Sequence, residues 1–382
     1  MVKEFEFINF FRAIAALWVL VAHCMIWGGW YGIPLPSPKI AVNLFMLISG
    51  FLMMANATAR RSVEPFSDRS SWYKFWIRRY FRLAPAYYLS LVVAVIAGSY
   101  FLSGYGELQK LNPAVWGGGT VYDPAKINYS IENLILHVTF LFGLHPEYSF
   151  STFLPDWSLS LEMQFYAVFP LLFLVFSRAG VAKSSLLVGI STIFIGVWVN
   201  TKFHYIEPSL LILRLHYFLA GMVLFAAMNA AIAVKRQLCL FTCALLLVFV
   251  GSRKEYDYFV LPGFLALMFL LGMVEQSGRL PANLKKIFNS KIVDFASETS
   301  YGLYLFHGFY ISLSGMLISK SPALLQLSPA ARVGCMLPFV LACSYFTAYL
   351  VYVAIEKPGI SLGKKINHKL FCREFAVERV RI

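Results

Sequence analysis

The chain of 382 residues is 59% hydrophobic and 17% aromatic, and only 14% of its residues are charged. Together with a mean hydropathy of +0.67, this composition excludes a soluble globular domain and a disordered chain, and it predicts a polytopic membrane protein. The net charge of +14 would also be typical of a nucleic-acid-binding protein. The Lys and Arg lie between apolar segments and in the C-terminal tail, however, where they orient membrane spans, so we expect no nucleic-acid partner. The cysteines have no metal-ligand spacing, and we expect no metal.

Ten apolar segments along the chain are interpreted as membrane spans. They cover residues 8–27, 40–57, 83–102, 157–176, 185–200, 209–231, 238–250, 259–275, 299–318 and 331–355. A further stretch, 131–143, contains Glu132 and is too short to cross, which favours an interfacial or re-entrant segment. The sequence thus predicts an all-α membrane protein, a bundle of about ten transmembrane helices that forms a single domain over residues 1–382.

The basic residues between these segments predict the orientation of the bundle. With ten spans and a cytoplasmic N-terminus, most Lys and Arg lie on the inner side, as the positive-inside rule requires. Both termini are then cytoplasmic, residues 357–382 form a basic cytoplasmic tail, and residues 103–156 form an extracytoplasmic loop. That loop is long enough to act as a lid or to bind an acceptor, and a passive connector is an equally good interpretation.

The first span contains two polar residues, Arg12 and His23, in an otherwise apolar helix. Because each residue advances a helix by 1.5 Å, the two lie about 16 Å apart along its axis. Arg12 is therefore expected near the inner membrane face and His23 in the outer half. Ionisable residues inside a membrane are costly, so both are candidate functional residues.

Arg79 and Arg82 precede the third span and are three positions apart. On a helix they share a face, and two guanidinium groups on one face form a fork that suits phosphate groups. The simpler alternative is that they anchor the helix to anionic lipid headgroups.

The fourth span begins WSLSLEMQFY and places Glu162 among apolar residues. On the predicted topology Glu162 and His23 both lie in the outer half of the membrane. A carboxylate at that depth could orient the imidazole as a base, as in hydrolases and acyltransferases. A structural hydrogen bond to another polar side chain is an equally good interpretation.

The ninth span contains Tyr301, Tyr304 and His307 at intervals of three, which forms a polar stripe on one face of the helix. Such a stripe often consists of tyrosines that satisfy neighbouring helices, and here it also predicts residues that line a pore or contact substrate.

These segments resemble the acyltransferase-3 family of integral membrane acyltransferases. The motifs occur in the order typical of the family and extend from the first span to the last. They are Arg12 with His23, NLFMLISGF (43–51), RRYFRLAP (78–85), WSLSLEMQFY (157–166), SYGLYLFH (300–307) and EKP (356–358). One departure is Asn43, where the family often has Asp, so no carboxylate role is expected there.

The resemblance implies a ten-helix O-acyltransferase of the bacterial inner membrane. Such an enzyme moves an acyl group, usually acetyl, from cytoplasmic acyl-CoA to a hydroxyl of a cell-surface carbohydrate or its lipid-linked precursor. Many relatives append a hydrolase-like domain, and the end of this chain soon after the tenth span predicts the stand-alone form. The residues that the family treats as functional match Arg12, His23, Arg79, Arg82 and Glu162.

The chemistry of acyl-CoA fits these residues. Its phosphates need cations at the membrane entrance, for which we expect Arg12, Arg79 and Arg82. We expect His23 to take the proton of the acceptor hydroxyl while Glu162 orients the ring, with an acyl-histidine intermediate as the alternative.

Two other classes of protein remain open from the sequence alone. A transporter or flippase of a glycolipid or polysaccharide intermediate would consume no acyl donor, and a non-catalytic scaffold would tolerate the loss of His23. The absence of a visible internal repeat weakens the transporter interpretation.

Overall fold

The computed structural model describes residues 5–30, 35, 37–112, 127–229, 231–251 and 257–378. This part of the chain is organised as α-helices joined by short connections. In chain order they are α1 Glu6–Gly28, α2 Pro38–Arg60, α3 Arg69–Leu111, α4 Ile131–Val138, α5 Trp157–Ala179, α6 Val181–Phe203, α7 Leu215–Ala227, α8 Val234–Gly251, α9 Asp257–Gln276, α10 Ala282–Phe288, α11 Lys291–Glu298, α12 Ser300–Ser319, α13 Pro322–Leu325, α14 Pro329–Val351 and α15 Lys357–Glu378.

The prediction of an all-α membrane bundle is confirmed. Within the described residues, nine helices are long and apolar enough to cross a membrane, and α7 is a shorter apolar helix at the position of the remaining predicted span. The stretch 131–143, predicted to be interfacial or re-entrant, forms only the eight-residue helix α4 and a 3₁₀ turn at Phe142–Leu144. An eight-residue helix is about 12 Å long and cannot cross a bilayer.

Helix α7 is short because its surroundings are protein and not lipid. The predicted span 209–231 contains a 3₁₀ turn, Leu211–Leu213, and then the thirteen residues of α7. Irregular backbone at membrane depth is tolerated where other helices enclose it. Helix α7 packs on α2 so closely that a Cβ atom added at Gly50 would lie 2.0 Å from the carbonyl oxygen of Phe218, and one added at Gly221 would lie 1.9 Å from that of Leu47. Small residues at this crossing therefore allow the two backbones to touch.

Helix α3 is much longer than the predicted span 83–102. Its 43 residues correspond to about 65 Å, roughly twice the hydrocarbon thickness. The RRYFR segment is thus a helical extension of this span on the predicted cytoplasmic side. Helix α15 packs along the extension, where Asn367 Nδ2 donates to the carbonyl oxygen of Lys74 at 3.0 Å.

The predicted basic tail is therefore a packed helix over most of its length, and its residues 379–382 lie outside the described part of the chain. Residues 113–126 of the predicted extracytoplasmic loop also lie outside it. A π-helical turn, Tyr352–Glu356, joins α14 to α15 and buries the side chain of Glu356.

Helix α1 packs against several other helices, namely α2, α3, α9, α10, α11, α12 and α14. Most of its side chains are buried or half-buried, and Leu17 is exposed. A helix surrounded in this way can present polar side chains to internal cavities at two depths. Arg12 and His23 are half-buried on this helix.

Candidate active site

A cavity of about 270 Å³ lies around Arg12, between α1, α2, α3, α5 and α12. We call it the inner cavity, because its polar lining includes the arginines of the predicted cytoplasmic side. Apolar side chains such as Val42 and Phe45 form the remaining walls. The polar and charged residues of the lining are Arg12, Ser49, Asn56, Arg79, Arg82, Ser158, Glu162, Tyr166, Ser300, Tyr301 and Tyr304.

The three predicted arginines meet in the inner cavity. Arg12 donates from Nη2 to Ser300 Oγ at 3.3 Å. The Arg79 guanidinium lies 5.7 Å from the ring centroid of Phe75 and 5.8 Å from that of Tyr166, in cation–π geometry. No carboxylate of the described residues lies within 4.0 Å of these three guanidinium groups. The cavity thus gathers three guanidinium groups, none of which forms a direct ion pair within the described residues.

The neighbouring arginine on α3 has a different environment. Arg78 forms a bidentate ion pair with Glu64, with distances of 3.1 and 2.6 Å, and Arg60 reaches the same carboxylate at 2.9 Å. Burial opposes ionisation of Glu64, but the hydrogen bonds from both arginines outweigh it and hold the pKa of this carboxyl below its usual range. Arg79 and Arg82, three positions apart on one face of α3, both line the inner cavity. Arg78, although it is four positions before Arg82, is turned towards Glu64 and does not line the cavity.

Glu162 lies in the inner cavity, and the expected contact with His23 is wrong. Its Oε1 accepts from Ser49 Oγ at 3.0 Å and from the hydroxyl of Tyr166. The carboxylate is close enough to interact electrostatically with Arg12 and Arg79. It is therefore a charge partner of the arginines.

The burial of the α5 N-terminus explains the difference in depth. The helix is preceded by residues that are themselves buried, including Phe153 and Asp156. Asp156 accepts from the hydroxyl of Tyr87 at 3.0 Å inside the bundle. The helix thus begins among buried residues inside the folded chain, and its second turn places Glu162 beside the arginines of the inner cavity.

A second cavity, of about 230 Å³, surrounds His23. We call it the outer cavity. Its lining includes His307, the ion pair between Lys39 and Glu207 at 2.9 Å, and aromatic rings. The aromatic residues of the lining are Trp27, Tyr105, Phe150, Trp157 and Tyr304. Aromatic rings beside hydrogen-bonding groups are typical of a site for a small molecule that has both apolar faces and polar groups.

His23 and His307 form a pair in the outer cavity. The distance between His23 Nδ1 and His307 Nε2 is 2.9 Å, and the two rings are nearly parallel with centroids 5.1 Å apart. His307 is 2% exposed, and its Nδ1 lies 2.8 Å from the carbonyl oxygen of Tyr304 and 3.2 Å from that of Leu303. His307 therefore holds the position beside His23 that the sequence interpretation gave to Glu162.

The tyrosines of the predicted stripe satisfy backbone groups and also line the cavities. Tyr301 donates to the carbonyl oxygen of Leu83 at 2.9 Å, and Tyr304 donates to that of Pro155. Tyr304, together with Val42, lines both cavities. These two side chains form the partition between the arginine site and the histidine pair.

Glu356, which is not among the site residues predicted from the sequence, is an acidic neighbour of the inner-cavity arginines. It is 1% exposed, and neither carboxylate oxygen has a hydrogen-bond partner within the described residues. It interacts electrostatically with Arg12 and Arg82. The feature of the sequence that points to this position is the Lys357–Pro358 pair directly after Glu356. In the structure, the π turn Tyr352–Glu356 ends at this residue.

A comparison with models of known protein families identifies the family of this chain. A family model described as an acyltransferase domain matches residues 5–349, nearly the whole chain. The chain belongs to the acyltransferase-3 family. The resemblance carried by the sequence motifs is thereby confirmed, and the protein is a multi-pass membrane member of the acyltransferase-3 family.

Individual relatives agree with this assignment to the acyltransferase-3 family. Peptidoglycan O-acetyltransferase OatA of Listeria monocytogenes is 27% identical over 336 residues, which are 79% of this chain and 49% of that protein. Acyltransferase MdmB of Streptomyces mycarofaciens is 33% identical over 133 residues, 35% of this chain and 28% of that protein. The chain thus spans about half the length of the Listeria relative and a smaller share of the Streptomyces relative. No solved structure matches the chain significantly.

Proposed function

We propose that this protein is a membrane O-acyltransferase. It transfers an acyl group, for which acetyl is the first candidate, from cytoplasmic acyl-CoA to a hydroxyl of a carbohydrate. The observation that carries the proposal is the pair of adjacent cavities, one lined by three arginines and the other by His23, with Tyr304 and Val42 between them. Membership of the acyltransferase-3 family supports the reaction type. The proposal places the protein in a bacterial inner membrane with both termini in the cytoplasm.

The charges of the inner cavity support an anionic donor. Among the described residues, its lining contains three guanidinium groups and one carboxylate, Glu162. Glu356 is a second acidic neighbour of Arg12 and Arg82 outside the lining. The volume of about 270 Å³ is smaller than the cavities that enclose drug-sized ligands, so only part of an acyl-CoA fits inside. We assign this volume to the pantetheine arm, with the phosphates held by the arginines towards the cytoplasmic extension of α3.

The reaction then takes place at the partition. The oxygen of the acceptor hydroxyl attacks the thioester carbonyl carbon, the C–O bond forms, and the C–S bond breaks as the CoA thiolate leaves. His23 accepts the hydroxyl proton at Nε2 and returns it to the thiolate, which leaves as free CoA thiol. In the alternative order, Nε2 attacks the thioester carbon, the C–N bond forms and the C–S bond breaks as the CoA thiolate leaves. The hydroxyl oxygen then attacks the acyl carbon, the C–N bond breaks, and the hydroxyl proton passes to the thiolate. Both orders require an unprotonated Nε2.

The lining of the outer cavity supports a carbohydrate as the acceptor. The rings of Trp27, Tyr105 and Trp157 can stack on the apolar face of a sugar ring, and the Lys39–Glu207 ion pair can hydrogen-bond its hydroxyls. The volume of about 230 Å³ admits a single small unit and not a polymer strand. The peptidoglycan named for the Listeria relative belongs to the same chemical class.

The test is donor consumption in membranes that carry this protein. Membranes with the wild type should release free CoA from labelled acetyl-CoA and transfer the label to an added carbohydrate acceptor, whereas His23→Gln membranes should not. His145→Gln is the matched control, because His145 is exposed and lies outside both cavities. Full transfer by the His23 variant overturns the assignment of the base. No donor consumption by the wild type with any acceptor offered overturns the proposed function and favours transport.

A further inference from the structure

The proton positions in the histidine pair follow from the acceptors around His307. A backbone carbonyl oxygen only accepts hydrogen bonds, and His307 Nδ1 lies 2.8 and 3.2 Å from two of them. His307 Nδ1 must therefore carry a proton. The opposite tautomer would turn a lone pair towards two oxygens and leave a buried nitrogen unsatisfied.

The assignment at His307 determines the proton position at His23. In a neutral imidazole only one nitrogen carries a proton, so His307 Nε2 is an acceptor. The 2.9 Å contact then requires His23 Nδ1 to be the donor. Neutral His23 consequently keeps its lone pair on Nε2. Within the described residues Nε2 has no hydrogen-bond partner and is not enclosed by protein atoms, while the ring lines the outer cavity.

We propose that His307 is a positioning residue that fixes His23 in the Nδ1–H tautomer and directs its basic Nε2 at the acceptor site. The catalytic meaning of this assignment rests on the proposed function. The role corresponds to the oriented base of hydrolase triads, but the group that accepts the hydrogen bond from Nδ1–H is a neutral imidazole anchored to helix α12 in place of a carboxylate. The pair is neutral before the reaction, because only an unprotonated Nε2 can take the hydroxyl proton.

The environment of His307 makes it suitable for this role. Its side chain is 2% exposed, and both carbonyl oxygens that accept hydrogen bonds from its Nδ1–H belong to the preceding turn of its own helix. The ring orientation is thus set within α12 and does not depend on substrate. His23, by contrast, is half-buried and can reach a ligand.

The first experiment measures the tautomer without any substrate. In protein labelled with ¹⁵N-histidine, the ring ¹⁵N chemical shifts report which nitrogen carries a proton, and signals lost in His23→Gln identify His23 among the seven histidines. We expect Nδ1–H in the wild type and in Glu162→Gln, because Glu162 does not contact the pair. In His307→Phe, which keeps the ring and removes the acceptor, Nε2–H should become substantially populated. Nε2–H or a doubly protonated His23 in the wild type, or a tautomer unchanged in His307→Phe, overturns the proposal.

The second experiment measures acyl transfer. We expect His307→Phe to lower kcat at least 100-fold while the KM for acyl-CoA stays within twofold, because the donor arginines are untouched. In His307→Gln, the amide oxygen can accept a hydrogen bond from His23 Nδ1, so its kcat should be at least tenfold higher than that of the Phe variant. Size-exclusion profiles in detergent that match the wild type show that both variants fold. Equal kcat in the Gln and Phe variants assigns His307 a merely structural role.

The two experiments separate the failure of this proposal from the failure of the proposed function. If the wild type consumes no acyl-CoA, the proposed function is wrong, and the ¹⁵N spectra still decide the tautomer of His23. If transfer occurs but the spectra show Nε2–H, the acyltransferase stands and the role of His307 does not.

Discussion

The inner and outer cavities lie next to each other and use different interactions. The inner cavity gathers Arg12, Arg79 and Arg82 around one lining carboxylate. The outer cavity holds two histidines bonded to each other, aromatic rings and a charge-balanced ion pair. Under the proposed function, the first cavity holds an anionic donor by charge, and the second presents a neutral base. Donor binding and chemistry are therefore separable properties, and substitutions in the two cavities should affect different kinetic constants.

The two cavities are connected through one helix and one partition. Arg12 and His23 both project from α1, which is enclosed by other helices, so the spacing between the cation and the base is fixed by helix geometry. Tyr304 and Val42 lie where the cavities meet. An acyl chain that passes from the arginines to the histidines must pass these side chains.

The largest effect is expected in the outer cavity. His23→Gln should lower kcat by roughly 10²- to 10⁴-fold, because it removes the group that takes the hydroxyl proton. The KM for acyl-CoA should change little, since the arginines remain. Steady-state release of CoA thiol measures both constants. A large rise in KM with an unchanged kcat would show that His23 binds the donor, and it would contradict the proposed division of roles between the two cavities.

A matched pair of arginines tests the inner cavity. Arg79→Gln should raise the KM for acyl-CoA by roughly 10- to 100-fold, the equivalent of losing one charge-assisted hydrogen bond of about 1.5–3 kcal/mol. Arg78→Gln removes the same charge from the adjacent position, but Arg78 is paired with Glu64 outside the cavity, and its KM should stay near the wild-type value. An equal rise in both variants would mean that general surface charge, and not the cavity, attracts the donor.

The role of Tyr304 in the partition is tested by comparing donors that differ in acyl-chain length. Tyr304→Ala should join the two cavities and lower the preference for acetyl-CoA over butyryl-CoA by about tenfold, a change typical of adding or removing space for a methylene or two. Tyr304→Phe keeps the ring and serves as the control. Competition between the two donors in one reaction gives the ratio of kcat/KM directly. If Tyr304→Ala leaves the preference unchanged, residues other than Tyr304 determine the selectivity for acyl-chain length.

The smallest effect is expected outside both cavities, at Glu64. The pKa of Glu64 is lowered by its two arginine partners, so its ionised form stabilises the folded protein above pH 4.5, the usual pKa of the group, and this contribution is lost as the pH falls through the lower folded value. Glu64→Gln should lower the Tm at pH 7 by a few degrees, and the difference should shrink below pH 4.5. A difference in Tm that is independent of pH would show that the ion pairs do not stabilise the protein.

Properties that depend on one helix could be predicted from the sequence. The apolar segments determined the class of protein and the order of the spans, and their lengths rejected 131–143 as a span. The separation of Arg12 and His23, and the shared face of Arg79 and Arg82, follow from 1.5 Å and 100° per residue and hold in any packing. The cavity that these residues line agrees with that geometry.

Properties that depend on how helices shift against one another were decided only by the tertiary structure. Glu162 was expected beside His23 because both lie in outer halves of predicted spans, but α5 begins inside the bundle, and its carboxylate comes to lie by the arginines. His307 takes the place beside His23, and Glu356 is buried near Arg12. Apolar periodicity determines that a segment spans the membrane, whereas its depth and rotation are set by packing against neighbours. Partnerships between polar side chains of different helices therefore become known only when the helices are assembled.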